Sequence, residues 1–261
     1  MNMDLRGKNA LVCGSSRGIG KAAAIEIARL GANVTLVARH ITRLTAAREA
    51  LDRSLGQKHD FLQADFSDPA DLRKKVRGLS SSKPIHILVN NTGGPPAGPI
   101  LSATTDEFEL AFKSHLICNH LLVHAFLDGM KKENYGRIIN IISTSVKQPL
   151  EGLGVSNTVR GAVANWSKTL AGEVGPFGIT VNNVLPGATA TDRLQEIISN
   201  KARKSGKSEE AVAEAMVSSI PLGRFAKPEE IGAVIAFLAS PAAAYVSGVN
   251  IPVDGGRTKS L

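Results

Sequence analysis

The 261-residue sequence contains little cysteine and few aromatic residues. Its two cysteines, Cys13 and Cys118, lack the spacing of metal ligands, so we expect buried thiols in a reducing cytosol rather than a disulfide or a metal site. Aromatic residues make up only 4% of the chain, and its basic residues are scattered along it. Both features argue against a stacking platform for nucleic acid.

The sequence also lacks segments that would direct it into a membrane or divide it into parts. No uninterrupted apolar run reaches the roughly 18 residues of a membrane span, and residues 1–6 lack the apolar core of a signal peptide. No linker or repeat interrupts residues 1–261, so we predict a single cytoplasmic domain. The net charge of +8 favours anionic small molecules as ligands.

Short β-branched or apolar runs alternate with longer helical patterns along the whole chain. The predicted strands cover residues 9–13, 33–38, 60–63, 85–90, 136–142, 179–184 and 249–252. The predicted helices cover residues 18–30, 42–55, 69–79, 105–130, 155–174 and 228–239, with two more polar helices in 191–219. This alternation predicts the α/β class, a doubly wound Rossmann sheet of about seven parallel strands with helices on both faces.

A glycine-rich loop joins the first predicted strand to the first helix. It reads Gly14-Ser15-Ser16-Arg17-Gly18-Ile19-Gly20. Glycines allow the backbone to turn tightly and to approach a pyrophosphate, and a helix N-terminus offers unpaired N–H groups. A structural turn is the alternative, but the position between strand and helix favours dinucleotide binding.

The end of the second predicted strand indicates which dinucleotide is bound. An NAD-binding protein usually has an acidic residue there for the ribose diol. Here Arg39 follows the strand and no acid is present, while Arg17 lies in the nearby loop. Because guanidinium groups pair with phosphate, we predict NADP(H) rather than NAD(H). The alternative is that Arg39 is only a solvated residue at the strand end.

The glycine loop resembles that of the short-chain dehydrogenase/reductase family, and further segments along nearly the whole chain resemble the same family. They are Asp65-Phe66, Asn90-Asn91-Thr92-Gly93, the strand 136–143, Pro186-Gly187 with Thr191, and Asp254-Gly255-Gly256. The resemblance implies that Asp65 and Phe66 lie at the adenine. It also implies that Asn91, Thr92 and Gly93 line the cofactor and that Pro186, Gly187 and Thr191 lie beside the nicotinamide carboxamide.

The catalytic positions depart from that family's pattern. Its members normally carry Tyr-x-x-x-Lys, a Ser that polarises the carbonyl, and an Asn that holds a water. The resemblance places these at Ser156, Arg160, Ser143 and His115, so only the Ser is kept. Ser156 is shorter and far less acidic than a phenol, and Arg160 stays protonated, so it is expected to hold the nicotinamide ribose or a substrate carboxylate.

The proton donor is therefore open. His115 can titrate near neutral pH, or it is a packed helix histidine. Lys147 lies four residues after Ser143, or it is a solvated loop lysine. Water or the substrate could also supply the proton. Neither Tyr135 nor Tyr245 lies where a substitute acid is needed.

A charged segment at about 191–221 is predicted to cover the substrate. Its cations, Arg193, Lys201, Arg203, Lys204 and Lys207, favour acidic substrates or simply keep an exposed helix in solution. Reductases of acyl carrier protein are similar in the cofactor half, but their basic docking positions correspond to Asn134 and Phe177, so that partner is not supported. The family resemblance implies a homodimer or homotetramer formed through the helices 105–130 and 155–174.

Three functions remain open on this evidence. The first is an NADP(H)-dependent oxidoreductase that acts on a carbonyl or alcohol with an atypical catalytic set. The second is an NADP(H)-binding sensor or scaffold without turnover, since three of the four catalytic positions are replaced. The third is a reaction in the same site with no net redox change. The retained glycine loop, Ser143 and Thr191 favour the oxidoreductase.

Overall fold

A seven-stranded, entirely parallel sheet forms the centre of the computed structural model, which describes residues 1–260. The strand order is β3-β2-β1-β4-β5-β6-β7, and every adjacent pair is parallel. The strands are β1 Asn9–Cys13, β2 Asn33–Ala38, β3 Asp60–Gln63, β4 Ile87–Asn90, β5 Gly136–Ile141, β6 Ile179–Pro186 and β7 Asn250–Val253. The order reverses between β1 and β4, where ligands bind in sheets of this kind.

Nine α-helices connect the strands within the described residues. They are α1 Gly18–Arg29, α2 Ile41–Glu49, α3 Pro69–Ser82, α4 Thr105–Phe112, α5 Cys118–Lys132, α6 Gly154–Val174, α7 Asp192–Ser205, α8 Glu209–Val217 and α9 Pro228–Ala239. The predicted α/β fold is confirmed. The helix predicted over 42–55 is wrong at its C-terminal end, because α2 stops at Glu49 and the chain turns there.

Apolar side chains fill both faces of the sheet. On one face α1 and α9 pack together over β1, with Ile27, Ile231 and Ile235 fully buried. On the other face α3 and α5 pack together, and Leu72 and Leu122 are fully buried. Because the strands are covered on both sides, they read as continuous apolar runs instead of alternating ones.

The predicted helix 105–130 is interrupted by a π-helical turn. Residues Lys113–Ile117 form this turn, in which the N–H of Cys118 donates to the carbonyl of Lys113. Thr105–Lys132 is the one helical stretch of the described chain that is long and apolar enough to cross a membrane. Leu122, Phe126 and Met130 on this stretch lie in the core, so packing against the sheet accounts for its apolar character.

A row of buried asparagines crosses strands β4 to β7. The Nδ2 group of Asn90 donates to Oδ1 of Asn140 over 2.8 Å. Asn140 donates in turn to Asn183 over 3.0 Å and to the Ser167 hydroxyl over 2.9 Å. Asn183 donates to Asn250 over 2.8 Å. These residues are also register partners in the sheet, so the row fixes the register of four neighbouring strands.

Replacing the central residue of this row should destabilise the fold. Asn140 is fully buried, and the change Asn140→Ala leaves the Asn90 Nδ2 group without a partner and removes one hydrogen bond each from Asn183 and Ser167. We expect a loss of about 3 kcal/mol in the free energy of unfolding, measured by urea denaturation. Asn165→Ala on the exposed face of α6 is the control and should change that energy by less than about 0.5 kcal/mol. Equal stability of the two variants would contradict the importance of the row.

Candidate functional site

The predicted site residues gather at the carboxyl edge of the sheet. The glycine loop follows β1, Arg39 follows β2 and Asp65 follows β3. Asn91 follows β4, Ser143 follows β5, and Pro186 ends β6. The topology therefore brings residues that are distant in sequence to one crevice.

Close packing explains why two loop positions are glycine. A Cβ atom on Gly14 would lie 2.6 Å from Nδ2 of Asn91, and one on Gly20 would lie 2.3 Å from the carbonyl oxygen of Gly14. The Asn91 amide donates to the carbonyls of Cys13 and Gly14 over 3.3 Å each. Asn91 thereby holds the loop in a tight turn at the start of α1.

The N-terminus of α1 has no side-chain cap. Arg17 occupies the N-cap position without capping the helix, whereas Asp68 and Ser208 cap α3 and α8 with their own oxygens. The first N–H groups of α1 are thus available to a ligand, as a pyrophosphate site requires. Thr191 packs against this region, since a Cβ atom on Gly18 would lie 3.3 Å from the Cγ2 atom of Thr191.

The edge expected to hold the adenine combines an exposed cation, Arg39, with an ionised acid, Asp65. Arg39 is exposed, and its backbone carbonyl accepts a hydrogen bond from Gln63. Burial raises the pKa of Asp65, but hydrogen bonds from Ser67 and the charges of Arg39 and His40 outweigh burial and lower it overall. Asp65 is therefore ionised at neutral pH, and the second strand ends without an acid of its own.

Arg17 forms an ion pair that the sequence did not predict. Its Nη1 atom lies 2.7 Å from Oδ2 of Asp192, the first residue of α7. Both side chains are more than half exposed, so the pair contributes little to stability by itself. It nevertheless joins the glycine loop to the predicted lid.

The remaining residues predicted to bind the cofactor are divided between the hydrophobic core and the loops at the sheet edge. Phe66 and Ile19 pack in or against the core, and Ser16 is half-buried in the loop. The Gly187 N–H donates to the carbonyl of Val253, and a Cβ atom on Gly187 would lie 2.7 Å from the backbone of Asp254. The backbone at Gly187 is therefore packed closely against the chain that follows β7.

Ser143 has a hydroxyl proton to donate. It lies half-buried two residues after the end of β5, and its Oγ accepts a hydrogen bond from the Ser145 N–H over 3.1 Å. A hydroxyl that accepts a bond becomes a somewhat better donor. The geometry is thus suited to polarising a carbonyl oxygen of a bound molecule.

Arg160 and Ser156 lie one turn apart on α6, and both are half-buried. The Nη1 atom of Arg160 donates to the carbonyl of Ile141 over 3.0 Å. Burial and, to a smaller extent, the charge of Arg193 lower the pKa of Arg160 to about 10, so it stays charged at neutral pH. The half-buried Ser156 hydroxyl has no hydrogen-bond partner among residues 1–260.

His115 does not titrate near neutral pH in the folded protein. It lies buried in the π-helical turn, with Nδ1 3.2 Å from the Thr92 hydroxyl. Burial and then the positive charge of Arg160 lower its pKa from 6.5 to about 3, against a smaller opposing effect from the backbone of Gly93. At physiological pH His115 is neutral, so it can orient Thr92 but is a poor general acid.

The other side chains considered as proton donors are Lys147, Tyr135 and Tyr245. Lys147 is half-buried beyond the short 3₁₀ turn that follows Ser143, and its carbonyl accepts a bond from Ser260. Tyr135 donates to the carbonyl of Ala239 at the opposite edge of the sheet, and Tyr245 is fully exposed. The expectation that neither tyrosine serves the site agrees with these positions.

Sequence reasoning missed several residues that build the site. Buried Ser15 accepts a bond from the Val37 N–H over 3.0 Å and so ties the glycine loop to β2. Asp192 pairs with Arg17, and the asparagine row underlies the strand ends. Asp192 directly follows Thr191 in the sequence, so its position was a signal that could have indicated the pair with Arg17. The asparagine pairs depend on the register between strands, which no local sequence pattern shows.

The residues at the crevice fit a dinucleotide that carries a 2′-phosphate. The uncapped helix α1 and the close-packed glycines can accept a pyrophosphate, and Arg39 can accept the extra phosphate. Thr92, after β4, contacts His115, and Arg160 donates to the Ile141 carbonyl, two residues before Ser143. The described residues contain no group of three or more His, Cys, Asp or Glu side chains able to hold a metal ion.

Comparison with known proteins agrees with this geometry. The family described as "Enoyl-(Acyl carrier protein) reductase" matches residues 14–258. The chain is 36% identical to 3-oxoacyl-(acyl-carrier-protein) reductase FabG of Pseudomonas aeruginosa, over 99% of this chain and all of that protein. It is 29% identical to the NADPH-dependent reductase BacG of Bacillus subtilis, over 97% of this chain and 99% of that protein.

A solved structure has the same architecture. L-sorbose reductase from Gluconobacter frateurii, in complex with NADPH and L-sorbose, superimposes with a TM-score of 0.93. The two chains are 32% identical, and the match covers all of both. The similarity therefore extends over the glycine loop, the sheet edge and the lid together.

The low pKa of His115 predicts a pH-dependent stability. The unfolded chain binds a proton at His115 below about pH 6.5, while the folded chain does so only near pH 3. Stability from this residue is thus complete above pH 6.5 and is lost as the pH falls toward 3. Between pH 7 and pH 5, wild type should lose about 2 kcal/mol more unfolding free energy than His115→Asn. Equal slopes in urea titrations across this range would contradict the assignment.

Proposed function

Because this chain belongs to the short-chain dehydrogenase/reductase family of oxidoreductases, we propose that it transfers a hydride between NADP(H) and a carbonyl or alcohol substrate with an atypical catalytic set. One observation carries the proposal. The glycine loop, tightened by Asn91 over an uncapped helix, lies at the same sheet edge as Ser143 and Arg160. A dinucleotide bound along that edge would present its reactive end to the two side chains.

The preference for NADP(H) over NAD(H) is supported by charge. Arg39 is exposed at the end of β2, where an acid would otherwise bind the ribose diol, and Arg17 lies in the adjacent loop. Both guanidinium groups can pair with a 2′-phosphate. The relatives named as NADPH-dependent, and the NADPH complex of L-sorbose reductase, support the same preference.

The roles of the side chains follow from their hydrogen bonds. Bound NADPH supplies the hydride. Ser143 donates its hydroxyl proton in a hydrogen bond to the substrate oxygen and stabilises the charge that develops there. Arg160, held by the Ile141 carbonyl, has further N–H groups for the nicotinamide ribose or the substrate. Thr92, in the loop after β4, is oriented by neutral His115.

Water replaces the family's tyrosine as the proton source in this proposal. Ser156 is shorter than a tyrosine, and its hydroxyl has no partner among residues 1–260. The space left by the shorter side chain suits a water molecule between Ser156 and the substrate oxygen. The proton then comes from solvent, which is consistent with a buried histidine that stays neutral and an arginine that stays charged.

The assembly and the location belong to the same proposal. An apolar groove between α4, the π-helical turn and α6 includes Phe108, exposed Phe112 and exposed Ile117. This groove supports a homodimer or homotetramer formed through these helices in the cytoplasm. Leu121, Leu122 and Phe126 on α5 lie in the monomer core and are not part of this groove. Acyl carrier protein remains unsupported as a partner, although FabG proteins are named for it.

Removing the guanidinium at the end of β2 should weaken binding of NADPH selectively. For Arg39→Ala we expect a Kd for NADPH raised about 10- to 100-fold, because a charge-assisted hydrogen bond to phosphate is lost. The Kd for NADH should change less than about threefold. Titration of nicotinamide fluorescence measures both, with Arg73→Ala on the exposed face of α3 as the control. Equal losses for the two cofactors would remove the basis for the NADP(H) assignment.

Loss of the Ser143 hydroxyl should impair the chemistry itself. We expect wild type to oxidise NADPH with at least one member of a panel of ketones, aldehydes and β-keto thioesters. Ser143→Ala should lower kcat at least about 10-fold, because a donor to the developing charge is removed. The matched control is Ser145→Ala, since the Ser145 hydroxyl is buried without a partner while its N–H still bonds to the residue at position 143. Its kcat should stay within about threefold of wild type.

The double variant Ser156→Tyr, Arg160→Lys separates the remaining functions. Turnover by wild type that the double variant lowers supports the atypical catalytic set. Turnover that appears only in the double variant favours an NADP(H)-binding sensor or scaffold. Substrate conversion without a change in NADPH absorbance would favour a reaction with no net redox change.

A further inference from the structure

Two arginines from different elements converge on the loop after β4. The Nη2 atom of Arg160, on α6, lies 3.6 Å from the position that a Cβ atom on Gly94 would occupy. The Nη2 atom of Arg193, on α7, donates to the carbonyl of Pro95 over 2.9 Å. The catalytic helix and the predicted lid therefore place guanidinium groups beside consecutive residues of one turn.

The protein supplies little negative charge to this pair. Arg160 forms no ion pair with residues 1–260, and its recorded bond goes to the Ile141 carbonyl. Arg193 contacts only Glu196 among the described carboxylates, over 3.3 Å, and Glu196 is half exposed. The charges of the two arginines act on one another, since Arg193 contributes to the lowered pKa of Arg160. Two partly buried like charges without a shared counter-ion are unfavourable unless a ligand provides one.

The pair is also separate from the sites expected for the cofactor phosphates. The pyrophosphate is expected at α1, and the 2′-phosphate at Arg39 after β2. Arg160 instead hydrogen-bonds to Ile141, two residues before Ser143. An anionic group held by the two arginines would therefore belong to the substrate, next to the hydroxyl that polarises its carbonyl.

We propose that Arg160 and Arg193 together bind the carboxylate of a keto-acid substrate, or of the corresponding hydroxy acid in the reverse direction. A guanidinium matches a carboxylate in planar, bidentate geometry, and both arginines keep N–H groups beyond their recorded bonds. The reaction then consumes a keto acid, NADPH and a proton and yields a hydroxy acid and NADP⁺. This inference rests on the proposed oxidoreductase function and names its substrate class.

The test compares acids with their neutral esters on the full-length protein loaded with NADP⁺, which cannot reduce them. Calorimetric titration would use levulinate, acetoacetate and phenylpyruvate, each against its methyl ester. For at least one pair we expect the acid to bind wild type at least about 10-fold more tightly than the ester. Arg193→Gln should reduce that ratio at least about 10-fold and leave ester binding unchanged, and Arg193→Lys should retain part of it.

Arg29→Gln is the matched control, because Arg29 also pairs with a glutamate one turn away but lies at the end of α1. It should keep the wild-type ratio. The inference is overturned if no acid binds wild type more tightly than its ester, or if the ratio survives in Arg193→Gln. NADPH binding and NADPH-dependent reduction of the neutral esters are measured on the same variants prepared without NADP⁺. Failure there refutes the proposed function, whereas intact reduction without acid preference refutes only the carboxylate site.

Discussion

The row of buried asparagines is the constraint on which the site depends. Parallel strands have evenly spaced hydrogen bonds that would tolerate a change of register. The bonds from Asn90 to Asn140 and from Asn140 to Asn183 exist in only one register. A slip would leave amides without partners in a dry core, which costs about 1–3 kcal/mol for each group. The row therefore aligns the ends of the strands that carry Thr92 and Ser143.

The chemistry at that edge relies on donors whose protonation state does not change near neutral pH. His115 is neutral because it is buried beside Arg160, and Arg160 is charged even though burial lowers its pKa to about 10. The two hydroxyls, of Ser143 and Ser156, ionise far above this range. A phenol–lysine pair would add a tunable acid. In the proposed reaction the protein positions and polarises the substrate, and water supplies the proton.

Much of the architecture was predictable because it depends on local patterns. Short apolar runs bounded by turn residues predicted β1, β2 and β3 at their observed limits, and Pro228 marked the start of α9. The glycine loop and Arg39 could be predicted as candidate cofactor sites because their chemistry depends on residue type and order. The crevice around them then follows from the topology of any doubly wound sheet.

Other features depend on contacts between distant residues and could not be predicted. The pKa of His115 is lowered by burial and by the charge of Arg160, which lies 45 residues away in sequence. The Arg17–Asp192 pair and the approach of Arg193 to Pro95 require the lid to fold over the sheet. The early end of α2 at Glu49 was missed because residues with helical propensity, such as Ala50, Leu51 and Arg53, continue beyond it.

The π-helical turn has a consequence for how this site can change. Relative to a regular α-helix, a π-bulge contains one additional residue, and each residue of an α-helix advances by about 100° and 1.5 Å. Deleting one residue within Lys113–Ile117 would restore a continuous helix and rotate α4 relative to α5 by about that angle. His115 would then turn away from Thr92 with no substitution at either position. The number of residues in the π-helical turn, more than their identity, thus determines which side chain contacts the loop after β4.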